Sequence, residues 1–181
     1  MEKLNNYKEK IVNFLKEPIL YILIFCIFMQ LLIYMTIPNY VMTTDSYTYT
    51  TEYNSSILKG EVDYVRTPVY PYLAKIIEKI AGEEMLFQNI VLFQKILFIF
   101  TIVLFYDTLK KITKNKVITS VLTVIFGVCP FIIFWNIMVL TEALAIFEIV
   151  LLSWITIKYF EKPNKIYAGM MRNRNSRDDY D

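Results

Sequence analysis

Three charged residues have the side chains that a group-transfer reaction requires: Asp45 in TTDSYTYT, Arg66 in VRTPVYP and Glu142 in LTEAL. A carboxylate can take a proton from an attacking hydroxyl group, and an arginine can hold a phosphate through paired hydrogen bonds. A second carboxylate can contact the acceptor, bind a divalent metal or orient the arginine. Each residue also has an ordinary structural interpretation: Asp45 as a helix cap, Arg66 as a solvated or headgroup-contacting loop residue, and Glu142 as a favourable charge at a helix N-terminus.

The segments that must position these residues are strongly apolar. The chain of 181 residues is 56% hydrophobic, and its net charge of only +2 gives no basic surface for nucleic acid. The apolar residues cluster in runs of about 20, the length that crosses roughly 30 Å of hydrocarbon. We therefore predict an all-α integral membrane protein with about four transmembrane helices, at residues 19–37, 85–109, 117–135 and 138–159.

The composition narrows the chemistry that these helices can support. The chain has no His, which excludes a His base and most zinc sites. Cys26 and Cys129 lie inside apolar runs without metal-ligand spacing, so we interpret both as small buried hydrophobes rather than as a disulfide. The carboxylates are then the candidate bases, and a divalent metal at the second acid is left open.

Lysines and arginines predict the orientation of the spans. They are concentrated in the N-terminal segment 1–18, in the loop 110–116 and in the tail 161–181. Cytoplasmic flanks of membrane helices carry an excess of these residues, so we predict that both termini are cytoplasmic. The transmembrane module is then residues 19–160, and the tail, which has no apolar periodicity, is predicted to be disordered.

This orientation predicts a large first outer loop at residues 39–84, and it places Asp45, Arg66 and Glu142 on the outer side. Within the loop, residues 48–59 are predicted to form a helix that ends at Gly60. A second helix is predicted to begin near Pro71 and to end at Gly82. Its apolar residues recur at helical spacing, which is typical of a juxtamembrane amphipathic helix: Leu73, Ile76, Ile77 and Ile80.

Two charged residues lie deep within predicted spans, Lys95 in the second and Glu148 in the fourth. Charges at membrane depth are costly and are usually paired or functional. We hypothesise that Lys95 and Glu148 form an ion pair across the bundle. The alternatives are an outward extension of the Lys95 side chain toward the membrane interface and an inward shift of the second span.

The order of three short motifs resembles that of the GT-C glycosyltransferases. D-S-x-x-Y begins at Asp45 after the first span, R-x-P-x-Y-P begins at Arg66, and L-T-E-A-L contains Glu142 at the start of the fourth span. The sequence is most similar to the family 39 type, which includes protein O-mannosyltransferases and lipid A aminoarabinose transferases. The resemblance covers about residues 19–159.

The resemblance implies a bundle of many transmembrane helices with a large, structured first outer loop. It implies transfer of a sugar, with inversion, from a polyprenyl-phosphate-linked donor to an acceptor on the outer face of the membrane. Asp45 is then the expected catalytic base, and Glu142 the second acidic residue, which contacts the acceptor or a metal. Ser46 and Tyr70 belong to the supporting loop motifs, whereas phosphate binding by Arg66 is our inference from its chemistry.

The implied partners are the lipid-linked donor, membrane lipids and a protein or glycan acceptor. The many Ile, Lys, Asn and Tyr residues are typical of an A+T-rich bacterial genome, so we place the protein in the cytoplasmic membrane of a bacterium. Members of the family have more spans than four. We therefore expect the chain to be an N-terminal fragment of a longer enzyme, with or without activity of its own.

Two other functions are compatible with a four-span membrane protein. The first is a non-catalytic membrane fragment or scaffold of an envelope-assembly complex. The second is a transporter or flippase subunit, but transport favours polar residues along the spans. Strongly polar residues are few in the interior of the predicted spans, which argues against transport: Gln30, Gln94, Lys95 and Glu148.

Overall fold

The computed structural model describes residues 17–36, 40–47, 49 and 69–161. These residues form seven helices and one 3₁₀ turn at Glu83–Met85. The helices are α1 (Pro18–Tyr34), α2 (Thr44–Tyr47), α3 (Val69–Ala81), α4 (Leu86–Thr113), α5 (Lys116–Gly127), α6 (Pro130–Trp135) and α7 (Glu142–Glu161). Nearly all of the predicted segments 1–18 and 161–181, most of the predicted helix 48–59, and Arg66 lie outside the described residues.

The all-helical prediction is confirmed for the part of the chain that the structure describes, where β-structure is limited to one isolated bridge. Two helices are long and apolar enough to cross a membrane, Glu83–Thr113 and Glu142–Glu161. The apolar helices Pro18–Tyr34 and Lys116–Gly127 are shorter than a full span. Four complete spans therefore stay a prediction.

The predicted third span, residues 117–135, is not one helix. The helix α5 ends at Gly127, and the short helix α6 starts at Pro130. Proline has no N–H to donate and pushes the preceding residue out of the helical region, and Cys129 accordingly has φ −59° and ψ 118°. The prediction of one helix over residues 117–135, which include Pro130, is therefore wrong.

The two longest helices run parallel to each other. Near its start, α4 contacts the segment before α7 through a hydrogen bond from Gln94 to the Leu140 carbonyl. At the far ends of the same helices, Lys111 of α4 pairs with Glu161 of α7. A parallel pair of this kind requires the chain to return between them, which α5 and α6 accomplish.

The helix α1 runs antiparallel to α4. Glu17, immediately before α1, pairs with Lys110 in the last turn of α4 at 3.3 Å. The alternating directions of the helices give the molecule two ends. We call them the basic end, defined by Lys110, Lys111 and Lys158, and the acidic end, defined by Asp45 and Glu142. Which end faces the cytoplasm stays a prediction.

The amphipathic helix predicted near residues 71–82 is confirmed as α3. Tyr70 and Ala74 are buried against the bundle, whereas Ile76 and Ile80 are exposed, as expected for apolar side chains at a membrane interface. Gly82 ends the helix with φ 84° and ψ 158°, a backbone conformation open essentially to glycine alone.

The hypothesis of an ion pair between Lys95 and Glu148 is wrong. The Lys95 ammonium lies over the ring of Tyr34, 3.7 Å from its centroid, and Glu148 is on the exposed side of α7. Lysine side chains of a helix lean toward its N-terminus, which for α4 is the acidic end. Lys95 therefore extends along the bundle to Tyr34, the last residue of α1.

Candidate functional site

Two extended segments meet at the acidic end of the bundle. The Val41 amide donates to the Ile137 carbonyl at 2.9 Å, and the Val139 amide donates to the Val41 carbonyl at 3.1 Å. These bonds form an isolated parallel bridge between Val41 and Met138. Because both backbone polar groups of Val41 are thereby paired, the bridge fixes the two segments side by side without a sheet.

Each bridged segment leads into a helix whose first turn carries one predicted acid. Asp45 follows Val41 by four residues and lies in the first turn of α2. Glu142 follows Met138 by four residues and is the first residue of α7. The backbone thus joins two acids that are nearly 100 residues apart in sequence, at the same offset from one bridge.

The turn that holds Asp45 is fixed by its neighbours Thr43 and Ser46. The Thr43 amide donates to Ser46 Oγ at 3.0 Å, and the Ser46 amide approaches Thr43 Oγ1 at 3.3 Å. This reciprocal arrangement satisfies backbone donors in the manner of a capping box. Ser46 is fully buried, whereas Asp45 is exposed. Capping of this turn therefore involves Thr43 and Ser46.

Glu142 is half-buried at the N-terminus of α7, where the helix dipole favours a negative charge. Its Oε2 atom is buried and accepts no hydrogen bond from the described residues. A carboxylate oxygen in that position is available to a hydroxyl group that enters the acidic end.

Tyr70 lies beside both acid-bearing segments. Its ring packs edge-on against that of Tyr49, with centroids 5.5 Å apart, and 1% of the residue is exposed. Burial first, and then the negative charges of Glu142 and of ionised Tyr49, raise the pKa of the Tyr70 phenol above its usual range. The phenol therefore keeps its proton at physiological pH.

Gln94 ties the loop before Glu142 to helix α4. Its Nε2 donates to the Leu140 carbonyl at 3.0 Å, and 1% of the residue is exposed. From the sequence, Gln94 was interpreted only as a polar residue in an apolar span, with no predicted role. The available signal was the position of an amide inside a membrane helix, which has to find a hydrogen-bond partner.

The structure brings Asp45, Ser46, Tyr70 and Glu142 to one end of the bundle. Arg66 lies outside the described residues. In the described ranges, no group of three or more His, Cys, Asp and Glu side chains could hold a metal ion. The acidic end therefore offers an exposed carboxylate, a half-buried carboxylate and a protonated phenol, which are groups that exchange protons and hydrogen bonds with hydroxyl groups.

A protein-family comparison gives the class of molecule to which this site belongs. Residues 65–172 match the family model described as dolichyl-phosphate-mannose-protein mannosyltransferase. The members of this family are membrane glycosyltransferases of the GT-C type. The match covers more than half of the chain, includes Arg66, Tyr70, Gln94 and Glu142, and begins after Asp45.

The chain belongs to this mannosyltransferase family, so it is a membrane protein of the glycosyltransferase class. The resemblance stated from its motifs is confirmed. No curated protein and no solved structure matches it.

Proposed function

We propose that this chain transfers a sugar from a polyprenyl-phosphate-linked donor to a hydroxyl group of an acceptor, on the outer side of the cytoplasmic membrane. The acceptor is a protein or a glycan. The family description supports the lipid-linked donor. The helices α4 and α7, which are long enough to cross a bilayer, support a membrane setting in which a lipid phosphate lies at the level of a helix end.

The observation that carries this proposal is the parallel bridge between Val41 and Met138. Group transfer to a hydroxyl needs a base near the acceptor and further groups that orient the reactants. The bridge links the exposed carboxylate of Asp45 to the segment of Glu142 through backbone hydrogen bonds, which hold position better than flexible side chains alone.

The proposed reaction assigns one role to each residue. Asp45 takes the proton from the acceptor hydroxyl as its oxygen bonds to the anomeric carbon. The bond between that carbon and the phosphate oxygen breaks, and the polyprenyl phosphate leaves with the electron pair, so configuration inverts. Glu142 accepts a hydrogen bond from a hydroxyl group of the bound reactants.

Arg66 is proposed to stabilise the departing phosphate. Negative charge grows on the phosphate as the bond breaks, and a fixed cation aimed at that charge lowers the barrier. This assignment rests on the chemistry of arginine and on its place in the motif RTPVYP, within the segment that matches the family.

The test measures sugar transfer by the full chain in membranes that contain native acceptors, with polyprenyl-phosphate-mannose as donor. We expect Asp45→Asn to lower transfer at least ~100-fold, because a general base contributes 10²–10⁴-fold. Glu84→Gln is the matched control, since Glu84 is an exposed acid of the 3₁₀ turn and has no role in the proposed reaction. Immunoblotting checks that all variants reach the membrane in equal amounts.

Retention of transfer by Asp45→Asn would show that another group is the base. Failure of the wild-type chain to transfer any of several polyprenyl-linked sugars would instead favour the non-catalytic scaffold. Arg66→Gln is expected to raise the KM for the donor and lower kcat, while Arg66→Lys restores part of the loss because the positive charge is kept.

A further inference from the structure

Three buried polar atoms that make no hydrogen bond with any described residue belong to the segments around Leu140: Tyr70 Oη, Gln94 Oε1 and Glu142 Oε2. Two further unpartnered atoms, Gln30 Nε2 and Tyr34 Oη, lie on α1. Tyr70 and Gln94 are each 1% exposed. A buried polar group without a partner costs about 1–3 kcal/mol, and most such groups in folded proteins are satisfied by protein, water or ligand. Three of them in one region therefore indicate a place where a polar molecule binds.

The three side chains are arranged around Leu140. Gln94 donates to the Leu140 carbonyl, and Glu142 lies two residues further along the chain. Tyr70 belongs to the same buried cluster as Leu140, and the Glu142 charge acts on its phenol. The ring of Tyr49, four residues after Asp45, packs on Tyr70 and connects this region to the proposed base.

The orientation of the Gln94 amide follows from its partner. A carbonyl oxygen can only accept, so the amide nitrogen must face Leu140 and the amide oxygen must face away. Gln94 therefore offers an acceptor, as Glu142 does, while the protonated Tyr70 phenol can donate or accept. A ligand for this set must present several O–H or N–H donors.

This pattern of hydrogen-bonding groups favours the sugar of a lipid-linked sugar over its phosphate. A phosphate is an anion with acceptor oxygens, so the Glu142 carboxylate and the Gln94 oxygen disfavour it. A sugar ring carries several hydroxyl groups that both donate and accept. We propose that Tyr70, Gln94 and Glu142 form the subsite that binds the hydroxyl groups of the transferred sugar. This inference rests on the proposed function and adds Gln94 to the binding residues.

The test compares the binding of bare polyprenyl phosphate with that of polyprenyl phosphates that carry a sugar. The full chain in phosphatidylcholine nanodiscs is titrated with polyprenyl phosphate and with polyprenyl phosphate carrying mannose, glucose or N-acetylglucosamine, and bound lipid is counted by native mass spectrometry. The wild type is expected to bind at least one sugar-bearing lipid more tightly than the bare lipid. Tyr70→Phe should reduce that preference by about 3- to 10-fold, the effect of one lost hydrogen bond.

Tyr72→Phe is the matched control, because Tyr72 is on the same helix and is 55% exposed. A second variant, Gln94→Met, should also reduce the preference, with Gln88→Met as its exposed control on the same helix. Both site variants should leave binding of the bare polyprenyl phosphate within about 2-fold of wild type. Thermal unfolding of Tyr70→Phe should not occur earlier than in wild type, because removal of an unpartnered hydroxyl relieves a penalty.

Outcomes of this test separate the inference from the proposed function. Sugar-bearing and bare lipids that bind equally to wild type, or a preference unchanged in both Tyr70→Phe and Gln94→Met, would overturn the subsite, and the three polar atoms would then be assigned to structural water. Absence of binding by any of these lipids would overturn the proposed function together with it.

Discussion

Gly127 of α5 lies directly against Cys26 of α1, so closely that a Cβ atom added at Gly127 would be 2.5 Å from Cys26 Sγ. Cys26 is fully buried, and so the sulfur has no open space into which to move. Small residues allow membrane helices to approach in this way. The two Cys residues were predicted to act as small buried hydrophobes, and for Cys26 the packing agrees.

Gly127→Ala is therefore expected to destabilise the bundle by about 1–3 kcal/mol, the usual effect of overpacking. Unfolding in mixed detergent micelles measures the loss. Addition of Cys26→Ala should recover most of it, because the contact that creates the clash is then removed. Ile125→Val, at an exposed position of the same helix, serves as the control. Equal losses in the single and double variants would show that α1 and α5 do not meet at this point.

Two turn residues with positive φ should respond in opposite directions to substitution. Gly82 has φ 84° and ψ 158°, and Lys114, which ends α4, has φ 52° and ψ 13°. Gly82→Ala should destabilise the protein by about 1–3 kcal/mol even though its Cβ would meet no neighbour within 4 Å. Lys114→Gly should be stabilising by a few tenths to about 1 kcal/mol, because glycine adopts the left-handed conformation without strain. Destabilisation by both substitutions in the same unfolding assay would contradict these backbone assignments.

Asp107 holds α4 and α7 together near the basic end. Its Oδ2 accepts from Trp154 Nε1 at 2.7 Å and pairs with Lys158 at 3.3 Å. We expect Asp107→Ala to destabilise the bundle by about 1–3 kcal/mol, since the indole N–H loses its partner, and Asp107→Asn to cost less, since an oxygen acceptor is kept. Detergent unfolding followed by tryptophan fluorescence checks the order. Ser153→Ala, next to Trp154 but exposed, should have little effect.

Local structure at the acidic end was predicted well wherever one residue determines it. Gly82 was correctly predicted to end α3, and the apolar spacing before it gave the helix. The continuation through Pro130 failed because hydropathy alone was followed over a residue that cannot propagate a helix. Pro130 itself indicates the break, because a proline inside a helical pattern ends or kinks the helix.

Relations between distant segments could not be predicted in the same way. The bridge between Val41 and Met138 depends on how α1, α4 and α7 pack, and neither residue carries a local pattern for it. The hypothesis of an ion pair between Lys95 and Glu148 failed for the same reason. The positions of two charged residues in apolar spans predict their depth in the membrane, but not which neighbouring helix each side chain faces. Residue types identified candidate acids, whereas only the packing showed that Gln94 and Tyr70 adjoin them.

The contact between Lys95 and Tyr34 should be measurable as an energetic coupling. A double-mutant cycle with Lys95→Met and Tyr34→Leu is expected to give about 0.5–2 kcal/mol, the range for a cation over an aromatic ring. The same cycle with Tyr34→Phe in place of Tyr34→Leu should give a coupling energy near zero, because the phenylalanine ring keeps the contact with the Lys95 ammonium. A cycle between Lys95 and Glu148 should be additive within about 0.5 kcal/mol. Strong coupling between Lys95 and Glu148 would contradict the structure and support an ion pair between these two residues.

The Tyr70 phenol should make the free energy of unfolding depend on pH in the alkaline range. Its pKa is raised in the folded protein by burial and by the Glu142 and Tyr49 charges, whereas the unfolded chain titrates near pH 10. Below pH 10 the phenol is protonated in both states and contributes no slope. Above it, the unfolded chain releases a proton that the folded chain keeps, so unfolding becomes easier by up to about 1.4 kcal/mol per pH unit.

Unfolding midpoints in detergent micelles between pH 8 and pH 11 measure this slope. Tyr70→Phe should be flatter than wild type above pH 10 and unchanged in slope below it, and Tyr72→Phe, which removes an exposed phenol of the same helix, should follow wild type. The comparison isolates Tyr70 from the other tyrosines of the chain, because each variant removes one phenol while the rest titrate as before. Identical slopes in wild type and Tyr70→Phe would mean that the Tyr70 hydroxyl reaches solvent, and the packing of Tyr70 between Tyr49 and Leu140 would then need revision.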